Sequence, residues 1–377
     1  MKVVVAIDSL KGSLSSMEAG NAIKAGILKA SPDAGVVVKP LADGGEGTTE
    51  AFVEGFGGIM VSRMVKGPFS RPVEASYGML EQSGTAIIEM AAAAGIALVK
   101  REELNPLKAT TYGVGELIGD AIKKGCRKFI IGIGGSATND CGMGMLAALG
   151  YRFLDRNGNE VSQGADYLDQ IVGIDVSGVI GELNECVFQI ACDVKNPLYG
   201  VNGSTYIFGL QKGLKESDKG IVDRKVQKFA QVVADYMGVD HSFMEGAGAA
   251  GGMGFAFASF LKGTLEPGIS LVMKAIQLEE CIEDADYVVT GEGQLDRQTT
   301  MGKAPAGIAA AAKKYNIPVI AFAGSLSEDA GYCNQAGIDA FFSILPGIMT
   351  LDEAMDRETA IKNMERTAEQ VFRLISI

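Results

Sequence analysis

Short apolar runs alternate with longer amphipathic ones along this chain. "VVVAI" at residues 3–7 is rich in β-branched residues and stops at Asp8 and a polar turn. That is the pattern of a buried parallel strand delivering a carboxylate to its C-terminal edge. "SSMEAGNAIKAGILKA" predicts a helix, with Ser15 or Ser16 placed to cap it. "VVVK" at 36–39 predicts a second strand, closed by Pro40. "LADGGEGTTEAFVEG" then reads as a glycine loop opening a short helix, so the chain starts βαβα.

From Ser62 to Gly84 the pattern changes to short alternating segments. "AAAAGIALV" reads as helical, and Val114, Leu117, Ile118 and Ile122 give "TTYGVGELIGDAIKKG" a helical apolar stripe. "KFIIGI" predicts a strand, "GMLAALG" a helix, and "YRFLDRNGNEV" a hairpin around Asn157 and Gly158. "VFQIACDV" predicts a strand ending at Asp193, and Val222, Val226, Phe229 and Val233 share one face of a later helix. A further βα series starts near Ala285: strand "ADYVVTGEG" entering a glycine loop, helix "PAGIAAAAKKYN", strands "IPVIAFAG" and "GIDAFFSI", and one final helix "DEAMDRETAIKNMERTAEQVFRLI". The two ends resemble each other in style and the middle does not. The expected architecture is α/β, with one domain formed by 1–65 plus 285–377 and a second, unlike α/β domain, 66–284, inserted in it.

Composition narrows the function classes. The chain has 377 residues, 47% of them hydrophobic, enough for two sizeable cores. Its formal net charge of -12 argues against a nucleic-acid or acidic-membrane partner. The six cysteines form no CxxC pair and there is one histidine, His241, so a structural zinc site is not expected. The start reads as a strand and not a signal peptide, which makes a cytoplasmic protein the expectation. The 50 glycines cluster in polar runs, which favours loops that let backbone approach a ligand.

The chemistry lies in those loops. "DSLKGSLSS" sets Asp8, Lys11 and Ser13 after a strand, an anion grip made of a point charge and helix-start N–H groups. "ADGGEGT" holds Asp43 and Glu46, whose mutual repulsion a divalent metal or a substrate hydroxyl would relieve. "IGIGGSATNDCGMG" lacks the lysine of a P-loop and puts Ala137 where the dinucleotide fingerprint has its third glycine. Its polar set Ser136, Thr138, Asn139 and Asp140 suits hydroxyl and phosphate recognition, and Gly134 and Gly135 let the backbone come close. "CDVKNPLYG" gives Asp193, Lys195 and Asn196, and "TGEGQLDRQTTMGKAP" gives Glu292, Asp296, Arg297, Gln298, Thr299 and Lys303. With one imidazole in the chain, proton transfer falls to a carboxylate or a lysine. Carboxylates, lysines and glycine backbone together are the kit of Mg²⁺-dependent phosphoryl transfer. Two unit charges about 4 Å apart interact by about 4 kcal/mol at an effective dielectric of about 20, so local lysines outweigh a distant net charge. An NAD-dependent hydroxy-acid dehydrogenase is the rival enzyme reading, and a sugar-acid sensor the rival without catalysis.

The stretches "DSLKGSLSS", "PLADGGEGT", "NPLKATTYGVGELI", "IGIGGSATNDCGMGML", "ACDVKNPLYG", "GAGAAGGMGF" and "TGEGQLDRQTTMGKAP" closely resemble the type 1 glycerate kinase family of bacteria, over nearly the whole chain. Cys141 and Met143 depart from the small residues that many relatives carry there, which implies altered packing. The resemblance implies a flavodoxin-like domain with an unlike insert, and phosphorylation of D-glycerate by ATP with Mg²⁺, giving 2-phosphoglycerate. Phosphorylation at the 3-hydroxyl stays open, as does a monomer or a homodimer. On this reading Asp8 and Asp193 serve Mg²⁺ or activate the acceptor hydroxyl. Lys11 meets a phosphate or the glycerate carboxylate, and Lys303 neutralises the transferring group. Asp43, Glu46, Ser136, Thr138, Asn139, Glu292 and Asp296 hold the substrate. Ser13, Gly134, Gly135 and Lys195 hold the nucleotide.

Overall fold

The computed structural model describes every residue except Asp43 and Glu46. Its strands are β1 Lys2–Val5, β2 Gly35–Val38, β3 Ile59–Lys66, β4 Pro72–Leu80, β5 Thr85–Glu89, β6 Lys128–Gly132, β7 Arg152–Leu154, β8 Gly173–Asp175, β9 Val187–Ala191, β10 Thr264–Glu266, β11 Tyr287–Leu295, β12 Val319–Leu326 and β13 Ala340–Ser343. The chain separates into two compact α/β units, Met1–Asp43 with Glu50–Gly57 and Gly268–Ile377, and Gly44–Thr49 with Gly58–Pro267.

The first unit is built on a parallel sheet of order β13-β12-β11-β1-β2. Val3, Val4 and Val5 are fully buried, as a strand covered on both faces requires. The helix Ser16–Ala30 starts on a capping box: Ser15 Oγ accepts from the Glu18 backbone N–H while Glu18 accepts from that of Ser15. Ser16 instead ties loop to strand, donating to the Ile7 carbonyl at 2.7 Å and accepting from the Leu41 N–H. This helix packs on Arg357–Ile375 so closely that a Cβ at Gly26 would stand 2.2 Å from the Glu365 carbonyl oxygen.

Two expectations change here. β11 continues through Gly291, Glu292 and Gly293 to Leu295, where a glycine loop was expected, because β12 pairs with it as far as Leu295↔Leu326. The expected final helix is two, Leu351–Met355 and Arg357–Ile375, since Asp356 accepts from the Thr359 N–H and starts a new helix.

The second unit has a six-stranded sheet of order β10-β9-β6-β5-β4-β3. β3, β4 and β5 are antiparallel, and β5, β6, β9 and β10 run parallel. The ring of Phe129 on β6 stacks on that of Phe188 on β9, with centroids 4.8 Å apart. The turn at Asn157 and Gly158 forms, with Asp155 accepting from the Asn157 and Asn159 N–H groups. Its flanks make only the bridge Leu154↔Glu160, and the ladder partner of β7 is β8.

Apart from the short segment Gly44–Thr49, the second unit runs from Gly58 to Pro267, where the sequence reading expected 66–284. β3 pairs with β4 over its full length, which ties it to the second unit. Ile269 packs against Gly307, and Lys39 Nζ donates to the Ile276 carbonyl, which tie that segment to the first.

Candidate functional site

The first unit changes winding direction beside β1. The chain passes from β1 to β2 on one side and returns with β11, β12 and β13 on the other. In open parallel sheets, ligands bind at such a switch point, at the carboxyl ends of the strands. A cavity of about 460 Å³ lies there, within the usual size of a small-molecule site. The Asp8 N–H still bonds to the Gly291 carbonyl at 2.9 Å, and past that bond Glu292 and Gly293 line the cavity while β11 and β12 run on together. Asp8, Lys11, Ser13, Glu292, Asp296 and Lys303 all line it, and Leu345, Leu351 and Met355 add an apolar wall.

Asp8 is 8% exposed, and its Oδ1 accepts from the Ser9 N–H at 2.7 Å. Lys11 is exposed in a tight loop closed by paired backbone bonds between Leu10 and Leu14. Gly12 turns that loop with φ 79°, a left-handed conformation that favours glycine. Ser13 Oγ is buried with no hydrogen-bond partner among the described residues.

Glu292 is held on both oxygens. Oε1 accepts from the Thr299 hydroxyl at 2.6 Å, and Oε2 lies 3.5 Å from Lys303 Nζ. Burial pushes its carboxyl up; Thr299 and Lys303 oppose this, and Asp296 reinforces it. Thr299 is fully buried and also accepts from the Asp296 N–H, while Asp296 caps the turn Arg297–Thr300. Lys303 is the N-cap residue of the helix Ala304–Lys313, with Pro305 in its first turn, as the sequence predicts.

The glycine loop belongs to the second unit. Gly134 and Gly135 are exposed, whereas Ser136, Thr138 and Asn139 are buried. Asn139 Nδ2 donates to Thr205 Oγ1 at 3.0 Å. The loop is organised by Asp140, which accepts from Thr111 N–H and O–H and from the Gly142 and Gly144 N–H groups. Burial pushes the Asp140 carboxyl up against these four bonds. "GAGAAGGMGF" makes a close backbone contact: a Cβ at Gly251 would stand 2.1 Å from the Thr138 carbonyl oxygen. Cys141 and Met143 are packed into the core. Asp193 is exposed just beyond β9, and Lys195 pairs with Glu245 at 3.3 Å on the surface.

Asp43 and Glu46, expected to touch metal or substrate, lie outside the described residues. Among the described residues no group of three or more His, Cys, Asp or Glu could hold a metal ion. Mg²⁺ does not need one, since it commonly takes one or two carboxylates and completes its shell with phosphate oxygens and water. Asp8, a hard oxygen donor at the cavity, fits that use.

Thr299 enters the sequence reading in its last polar loop without a role of its own, although Asp296-x-x-Thr299 is an N-cap signal. Lys212 carried none. It is 2% exposed, and its Nζ donates to Ser136 Oγ and to the Thr138 carbonyl, both at 2.7 Å. Burial pushes its pKa down to about 7, opposed by the charge of Asp140.

A family model described as the glycerate kinase family matches residues 3–376. The glycerate kinase of Bacillus subtilis (strain 168) is 46% identical over 377 residues, which is 100% of this chain and 98% of that protein. The glycerate 2-kinase of Escherichia coli (strain K12) is 47% identical over 377 residues, with the same coverage. A crystal structure assigned to a glycerate kinase 2 of Salmonella typhimurium LT2 superposes with a TM-score of 0.92 at 44% identity, covering 100% of this chain and 98% of that one. With a whole-chain family match, near-complete mutual coverage and a shared fold, this chain belongs to the glycerate kinase family, a family of phosphotransferases.

Proposed function

We propose that this protein transfers the γ-phosphoryl group of ATP to the 2-hydroxyl of D-glycerate, giving 2-phosphoglycerate and ADP. The observation that carries this reading is the cavity at the switch point, where Asp8, Glu292 and Asp296 stand with Lys11 and Lys303. The name of the Escherichia coli relative, a glycerate 2-kinase, supports the choice of hydroxyl.

The residues divide the work by their chemistry. Lys11, on an exposed loop tip, offers a point charge to a phosphate or to the glycerate carboxylate. Lys303, tethered by Glu292 at the start of a helix, offsets charge that develops on the transferring group. Glu292 and Asp296 orient substrate hydroxyls, with Thr299 fixing both. Asp8 or Asp193 accepts the proton of the attacking hydroxyl. Ser136, Thr138 and Asn139 serve substrate recognition, and Ser13, Gly134, Gly135 and Lys195 the nucleotide. Mg²⁺, held through Asp8 or Asp193, would supply charge neutralisation at the phosphates. No helix among the described residues is long and apolar enough to cross a membrane. On this reading the protein is a cytoplasmic monomer or homodimer acting on a small molecule.

The test is ADP release from ATP and Mg²⁺, with and without D-glycerate. The reading predicts release that depends on D-glycerate; equal release in its absence, or none at all, overturns it.

A further inference from the structure

Lys212 lies in the interior of the second unit, and no step proposed so far uses it. A lysine ammonium carries three donors and no acceptor, whereas a serine hydroxyl carries one donor and two lone pairs. In the 2.7 Å contact between them, Lys212 donates and Ser136 Oγ accepts. The second bond, to the Thr138 carbonyl, fixes the ammonium from the other side of the same loop segment. With Lys212 protonated, the form that a bound anion favours, the proton of Ser136 is left to donate elsewhere.

Ser136 directly follows Gly134 and Gly135, the exposed part of the loop, and the space that a Cβ would take at Gly134 is open. Two neighbouring polar atoms, Thr138 Oγ1 and Asn139 Oδ1, are buried with no hydrogen-bond partner among the described residues. A buried cation is costly unless a negative group compensates it. The Asp140 charge favours the Lys212 cation only from a distance: its carboxylate already accepts four hydrogen bonds from Thr111, Gly142 and Gly144, and it forms no ion pair with Lys212 among the described residues. An anionic oxygen received by the Ser136 hydroxyl would supply that compensation through one intervening atom.

We propose that Lys212 is a positioning residue that fixes the Ser136 hydroxyl as a donor beside Gly134 and Gly135, and that this donor receives an anionic oxygen of a bound reactant. The inference rests on the kinase reading and deepens it. The oxygen belongs either to the glycerate carboxylate or to a phosphate of ATP, which present the same chemistry.

The experiment measures KM for D-glycerate and for ATP, with kcat, in wild type, Ser136→Ala, Lys212→Gln and the double variant, each checked for an unchanged melting curve. Loss of one hydrogen bond to a charged group predicts a rise of about tenfold in one KM with kcat nearly unchanged. A rise for D-glycerate assigns the carboxylate, and a rise for ATP assigns the phosphate. Lys212→Gln should raise the same KM, and should add nothing once Ser136 is alanine. Both KM values within about twofold of wild type in Ser136→Ala would overturn the inference, whether or not Lys212→Gln folds. Wild-type protein that forms no ADP with D-glycerate would overturn the kinase reading itself, and this inference with it.

Discussion

Glu292 is the residue at which burial and pairing compete most openly. Lys303 lies 3.5 Å away and is 36% exposed, so solvent weakens that pair. Burial wins, and the native carboxyl sits above its ordinary value of 4.5. The native state then holds this proton more readily than the unfolded chain does. The ionised group costs stability above the native pKa, and the cost disappears as the pH falls below the unfolded value. Glu292→Gln, which still accepts from Thr299, should raise the melting temperature at pH 8 by more than at pH 4; an equal shift at both would contradict this. Asp193→Asn belongs to the same scale. If Asp193 serves the metal or the attacking hydroxyl, its loss should lower kcat by at least about 100-fold with the melting curve unchanged, and near-wild-type turnover would remove it from the mechanism. Asp8, Lys11 and Glu292 were legible because a charge at the end of an apolar run has no packing purpose. Lys212 was not, since nothing in "GLQKGLK" says that this lysine, and not its neighbour Lys215, goes inside.

Glycines decide two features of the elements. At Gly26 the helix Ser16–Ala30 meets Arg357–Ile375 with no room for a side chain. Gly26→Val should destabilise the first unit by about 1–3 kcal/mol or more, since the obstacle is backbone and cannot rotate away. Urea unfolding followed by circular dichroism reads this directly, and an unchanged midpoint would contradict the packing. At Gly291 the backbone of β11 passes so near β12 that a Cβ would lie 1.8 Å from the Phe322 carbonyl oxygen. This explains why "TGEGQL" reads as a loop and folds as a strand. Gly291 serves close approach, and the long apolar partner β12 overrides the poor strand propensity of both glycines. Helices with strong local signals, such as the capping box at Ser15, were readable because their cause is local. The pairing of β7 with β8 across eighteen intervening residues was not, since no local pattern encodes it.

At the scale of the molecule, a net charge of -12 opposes the arrival of anions. The screening length is about 8 Å at physiological ionic strength, so distant carboxylates count for little against Lys11 and Lys303 at the cavity. Raising KCl from about 0.05 to about 0.5 M should therefore raise KM for D-glycerate, because the nearby cations are screened too. A falling KM would mean that the global field dominates. The α/β class and the kinship of the two chain ends were legible from strand–helix alternation. The limits of the two units were not, because β3 and Ile269 declare their allegiance only through partners distant in sequence.

The central claim is a particular phosphoryl transfer, and its product tests it most directly. Wild-type protein is incubated with D-glycerate, ATP and Mg²⁺, and the product is given to enolase with no mutase present. Transfer to the 2-hydroxyl predicts immediate consumption by enolase. A product that enolase takes only after a phosphoglycerate mutase is added, or no phosphorylated product at all, would contradict the account.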